Sequence, residues 1–112
     1  MGIDFSHCTA HWSYSGFHAF RQRLAKKIGI TLDGMDGFRG SLSWDSVKDP
    51  IVPLLNHSDC DGELLPADCR KVIPRLLTLI SDWDNDYDRK MAEELITGMK
   101  KAIKENKPLR FR

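Results

Sequence analysis

The chain has 112 residues, 41% of them hydrophobic and 29% charged, with a formal net charge of +1. That length suits one domain, residues 1–112, able to bury roughly two thirds of the surface its unfolded chain exposes, and the composition is that of a globular rather than a disordered protein. No apolar run approaches the ~18 residues needed to span a bilayer, which argues against a membrane protein, and the first residues lack the basic-then-apolar pattern of a secretory signal.

Met1-Gly2-Ile3-Asp4-Phe5-Ser6 fits the short M-G-x-x-x-[ST] myristoylation pattern, but Ile3–Ser6 also alternates apolar and polar side chains and reads as an ordinary first strand. Ser13 or Ser15 can N-cap a helix over about 15–28, because Phe17, Phe20, Leu24 and Ile28 recur at spacings of three and four. Gly29, after Lys26 and Lys27, ends it. Asp33-Gly34, Asp36-Gly37 and Gly40 predict turns around a short strand at Gly40–Ser43. A short helix starting at Ser43 or Asp49, with Pro50 in its first turn, is expected to end by Asn56.

A polar loop follows, and Pro66 then opens a longer helix through about Ser81. Its expected buried side is Val72, Ile73, Leu76, Leu77, Leu79 and Ile80, and Pro74 inside it predicts a kink. Asp82–Asp86 reads as a turn and helix start. Tyr87, Met91, Leu95, Met99 and Ile103, at steps of four, predict a last helix of about 18 residues. Gly98 inside that helix costs about 1 kcal/mol against alanine and marks a close contact. Leu109–Arg112 alternates again and can pair with the N-terminal strand. The expected fold is mainly α, three to four helices, with at most a small two- or three-stranded sheet formed near the termini.

The three cysteines, Cys8, Cys60 and Cys69, are too few and odd in number for a disulfide framework, and point to a reducing, cytoplasmic setting. Charge is uneven: residues 1–30 carry +3, residues 31–99 carry −7 and residues 100–112 carry +5. The middle can attract cations and the tail anions. The sequence pI of about 7.8 lies below the value above about 9 expected of a basic nucleic-acid footprint, which argues against nucleic acid as a partner.

Two segments concentrate chemistry. In the first, His7 to Arg23, His11, Trp12, Ser13, Tyr14, His18 and Arg21 form a candidate ligand site: aromatic faces stack, hydroxyls and imidazoles orient, and a helix N-terminus with Arg21 receives an anion. Zinc ligation by His7, Cys8, His11 and His18, with Cys60, is a competing use, although no C-x2-C pair or H-E-x-x-H motif is present. A purely structural reading makes the aromatics core and the serines caps.

The second segment is 57–68. With Gly62 at position 6 it resembles an EF-hand calcium loop, with Asp59, Asp61, Glu63 and Asp68 at positions 3, 5, 7 and 12. The resemblance implies a divalent cation, calcium or magnesium, held by His57, Asp59, Asp61, Glu63 and Asp68. His57 at position 1 offers nitrogen, Leu65 at position 9 offers no side-chain oxygen and Asp68 is shorter than the usual glutamate, so the implied site is weak or degenerate. The competing reading is an Asp-Gly turn whose carboxylates cap the next helix.

No nucleophile elbow, Walker loop, Rossmann fingerprint or zincin motif occurs. His11 or His57 with Asp59 could act as a general base and its orienter, a weak signal in a chain with four histidines. Ala10–Phe17 and Leu54–Leu64, reading AHWSYSGF and LLNHSDCDGEL, resemble motifs of small uncharacterised bacterial and phage proteins, over most of the chain. The resemblance implies a prokaryotic or phage cytoplasmic setting and transfers no catalytic residues. The expectation is a non-catalytic binding module for a host protein or small ligand, its site built from the 11–21 segment and the 57–63 loop. The alternatives are a metal-binding protein or metal-dependent enzyme using 57–68, and an anion- or nucleotide-binding protein.

Overall fold

Ser13 sets the start of the first helix. Its hydroxyl accepts from the Gly16 N–H (3.0 Å), satisfying one of the donors that a helix N-terminus leaves open. Helix α1 runs Tyr14–Lys27 and ends where Gly29 turns left-handed at φ 82°. The computed structural model describes residues 2–57 and 62–112. Among these are four α-helices and two small antiparallel sheets, a mainly α fold as the periodicities predict.

Strand β1 (Ile3–Asp4) pairs with β2 (His11–Trp12), Ile3 opposite Trp12. Strand β3 (Glu63–Leu64) pairs with β4 (Leu109–Arg110). The C-terminal segment also meets the N-terminal one, as its alternation suggests. Phe5 and Phe111 form a bridge, the Ser6 N–H donates to the Arg110 carbonyl (2.9 Å) and the Arg112 N–H to the Asp4 carbonyl (2.8 Å).

Between α1 and the next helix, the expected strand at 40–43 is replaced by isolated bridges, Met35 to Leu42 and Asp36 to Gly40. The expected short helix is two elements: a 3-10 turn at Trp44–Ser46, capped by Ser43, and α2 at Val52–Leu55. Asp49 separates them. It precedes Pro50, and a residue before proline avoids helical backbone. Its carboxylate accepts from the Ile51 N–H (3.0 Å) and from Arg75 at 2.9–3.2 Å.

Helix α3 (Pro66–Ile80) runs unbroken through Pro74, which lies on the exposed side, where water can serve the carbonyl left without a helical donor. Leu77, expected in the core, is 45% exposed. It sits just outside the arc defined by Cys69, Val72, Ile73, Leu76 and Ile80. Helix α4 (Tyr87–Glu105) packs extensively on α3. Its stripe keeps Leu95 and Met99 from the steps of four, with Met91 and Ile103 partly buried beside the core, but Tyr87 is exposed and Ala92, Ile96 and Ala102 join the buried face. Each step of four overshoots a 3.6-residue turn by about 40°, so a long series swings off the buried face.

The core is aromatic on one side. Trp12 stacks on Phe20 (4.5 Å), and Phe5, Phe17 and Phe111 meet edge to face. Each such ring contributes about 1.5–3 kcal/mol through burial. No helix among the described residues is long and apolar enough to cross a membrane.

Candidate functional site

Helix α1 places Tyr14, His18 and Gln22 at successive turns on one strip. The loop 33–39 stands opposite. Its backbone is tied to itself, with the Asp36 N–H donating to the Leu42 carbonyl (2.8 Å) and the Leu42 N–H to the Gly34 carbonyl (3.1 Å). Gly40 is essential to this turn, because a Cβ there would stand 2.1 Å from the Gly34 backbone. Between helix and loop lies an open groove of about 820 Å3, lined by Tyr14, Ser15, His18, Gln22, Asp33, Gly37, Phe38 and Arg39.

Asp33 ties the two walls together. The His18 Nε2–H donates to its Oδ1 (3.0 Å) and the Gln22 amide to its Oδ2 (3.1 Å). The His18 ring lies near-parallel to Phe38, 6.0 Å away, and Trp44 meets the far edge of Phe38 while donating to the Asp36 carbonyl (2.9 Å). Arg39 sits at the rim with φ 73°, in the left-handed region. That conformation costs a non-glycine residue about 1–2 kcal/mol and persists only where surrounding structure imposes it. Among the described residues no hydrogen bond joins Ser15 to His18, whose Nε2 is engaged by Asp33.

The residues singled out from the 11–21 segment go to different places. Tyr14 and His18 line the groove. His11 is exposed, with Nδ1 2.8 Å from Asp4 Oδ1, and its carbonyl accepts from the Tyr87 hydroxyl. Trp12 is buried and donates from Nε1 to Asp88 (3.0 Å). Ser13 is the N-cap. Arg21 is 1% exposed. Its guanidinium lies between the rings of Phe17 (4.6 Å) and Phe38 (5.0 Å) and donates to the carbonyls of Leu55 (3.2 Å) and His57 (2.6 Å).

Arg21 therefore brings the first segment to the second, through the interior rather than across a shared surface. It serves carbonyls at the C-terminal end of α2, where a cation also suits the helix dipole. In the 57–68 loop, Asp59 and Asp61 lie outside the described residues. His57 Nε2 donates to the Glu63 carbonyl (3.0 Å) and its ring stacks on Phe111 (3.9 Å). Gly62 takes φ 92°, and a Cβ there would stand 3.0 Å from the His57 ring. In the EF-hand pattern the position-7 carbonyl faces the cation; here that carbonyl, of Glu63, accepts from the position-1 imidazole. Glu63 is exposed on β3 and Asp68 lies in the first turn of α3.

Among the described residues no three His, Cys, Asp or Glu side chains gather so as to hold a metal ion. The acidic run at 82–88 is largely engaged: Lys27 pairs with Asp82 (2.6 Å), and Arg23 with Asp86 (3.2 Å) and Asp88 (2.8 Å). Burial pushes the Cys8 thiol above its ordinary range and Cys69 up to about 11, so neither is poised as a nucleophile.

Sequence reasoning missed Gln22, Asp33, Phe38 and Arg39. Gln22 gave no signal beyond its place on α1 one turn after His18, and the only signal for the other three was turn chemistry at 33–40, which does not say that the turn folds back on α1. No protein-family model, curated protein or solved structure matches the chain.

Proposed function

We propose that this protein is a non-catalytic binding module whose working surface is the groove between α1 and the 33–39 loop, and whose ligand is a small planar anion such as a nucleotide. The observation that carries the reading is the facing arrangement of Tyr14 and His18 on one wall and Phe38 and Arg39 on the other. A ring can lie against the aromatic faces, for about 0.5–1.5 kcal/mol beyond its burial. An anionic group can take charge-assisted hydrogen bonds from Arg39, worth about 1.5–3 kcal/mol. These magnitudes fit a modest ligand, with Kd on the order of 10 µM to 1 mM. The bacterial or phage cytoplasmic setting implied by the two motifs belongs to the same proposal.

The test is thermal melting with AMP, GMP, ADP and cyclic AMP, and separately with calcium, magnesium, manganese and zinc chlorides. A ligand that prefers the folded state raises Tm, by about 2.7 kcal/mol of added stability at a hundredfold excess over Kd. The expected result is a rise with at least one nucleotide, lost in Tyr14→Ala and Arg39→Ala. No shift with any nucleotide at millimolar concentration would reject the reading. A rise with a metal alone would favour the 57–68 loop instead.

A further inference from the structure

Lys100, Lys101, Lys104, Lys107, Arg110 and Arg112 are all exposed. Among the described residues none of the six forms an ion pair, whereas Arg23, Lys27, Arg75 and Arg89 each meet a carboxylate. The one acid in this stretch, Glu105, faces His7 at 3.4 Å. We propose that this C-terminal basic surface, the last two turns of α4 together with β4, docks on the phosphate backbone of double-stranded nucleic acid.

The geometry gathers the six cations. Lys100, Lys101 and Lys104 fall within one exposed arc of α4, opposite the buried face of Leu95, Met99 and Ala102. Asn106 then turns the chain left-handed at φ 55° and sends it back as β4. There Leu109 and Phe111 point inward, at 0% and 4% exposure, so Arg110 and Arg112 alternate outward. The Ser6 hydroxyl accepts from the Arg110 N–H (2.9 Å) and the adjacent His7 reaches Glu105, which holds the strand beside the end of the helix.

Two physical arguments favour a polyanion. A helix C-terminus welcomes cations, which accounts for Lys104 in the last turn but not for Arg110 on β4 or Arg112 beyond it. The near-neutral overall charge also conceals a separation. Along α4, Asp88, already engaged by Arg23, lies about 18–24 Å from Lys100 and Lys104, two to three Debye lengths of about 8 Å. A phosphate array approaching the C-terminal face meets six cations against two neighbouring carboxylates, Glu105 and, opposite Arg110 across the β3–β4 pair, Glu63. With Phe111 and Leu109 buried, the patch offers no ring to stack on unpaired bases and no apolar side chain to insert into lipid. That favours a duplex backbone over a single strand or a membrane.

The test is fluorescence-anisotropy titration of a labelled mixed-sequence DNA duplex into which the full chain is added, between about 50 and 200 mM salt. The expected result is sequence-independent binding that weakens with salt at a log–log slope of about −3.5 to −5.5, as four to six phosphate contacts at about 0.9 each require. Lys104→Gln/Arg110→Gln/Arg112→Gln should lower the slope's magnitude by about 2.7, while Lys26→Gln/Lys48→Gln/Lys71→Gln leaves it unchanged. If the first triple variant melts early, Lys100→Gln/Lys101→Gln, confined to the helix surface, replaces it with an expected loss of about 1.8. No binding at the lowest salt, an equal loss in the control variant, or cosedimentation with phosphatidylserine vesicles without duplex binding would each overturn the proposal. Arg39→Ala should leave duplex binding intact, which separates this surface from the groove.

Discussion

Arg21 Nη1 lies 2.6 Å from the carbonyl oxygen of His57, so a guanidinium from the middle of the first helix closes the end of the second. The same guanidinium is held between two phenyl rings, one of which, Phe38, forms a wall of the groove. A single buried side chain thus links the 57–63 loop to the candidate ligand surface.

Replacing Arg21 should be among the most damaging single changes in the chain. Arg21→Met keeps apolar bulk but strips donors from two carbonyls, one of them buried with Leu55, at an expected cost of about 2–4 kcal/mol. Arg21→Lys should recover less than half of that, since an ammonium lacks the planar fork that lies flat between rings while reaching two acceptors. Urea unfolding curves measure both; an Arg21→Met loss below about 1 kcal/mol would mean that this contact is peripheral.

Gly98 makes α4 approachable. A Cβ at this position would stand 2.7 Å from Cys8 Sγ and 2.8 Å from Cys8 Cβ. Gly98→Ala gains about 1 kcal/mol of helix propensity and loses about 1–3 kcal/mol to overpacking, so a net loss of about 1 kcal/mol is expected. Adding Cys8→Ala should restore only part of it, because the Cys8 Cβ stays. A Gly98→Ala protein with a raised Tm would refute so close an approach.

Asp86 sets an acid limit. The hydrogen bond from the Arg89 N–H, and after it the Arg23 guanidinium, hold its carboxyl below the usual carboxylate range; Lys27 does the same for Asp82. For a folded pKa below the unfolded value of about 3.9, the contribution is complete above that value and is lost as pH falls through the folded pKa. Asp86→Asn should keep the N-cap yet flatten the acid loss in Tm, whereas Asp86→Ala should cost about 1 kcal/mol at neutral pH. Identical acid limbs for wild type and Asp86→Asn would remove Asp86 from the account.

The helices were legible because their signals are local. Ser13 caps, Phe17, Phe20 and Leu24 repeat at the helical period, and Gly29 accepts the left-handed turn, all within one stretch of chain. Gly98 was legible for the same reason, as a helix residue whose propensity cost needed a reason. The single short helix expected within 43–56 is two elements for an equally local reason: Asp49 before Pro50 interrupts what a cap at Ser43 starts.

By itself the amino-acid order determined which segments wind, where they stop and which faces must be hidden, since these depend on backbone preferences and side-chain period over a few residues. Where the polar residues lead was decided by tertiary packing. Arg21 looked like an anion receptor and is a buried brace, while Arg39, an unremarked turn residue, faces the groove. The physical reason is that a side chain's role depends on what folds opposite it. The distance between Asp33 and His18, 15 positions apart along the chain, is set only when loop and helix close on each other.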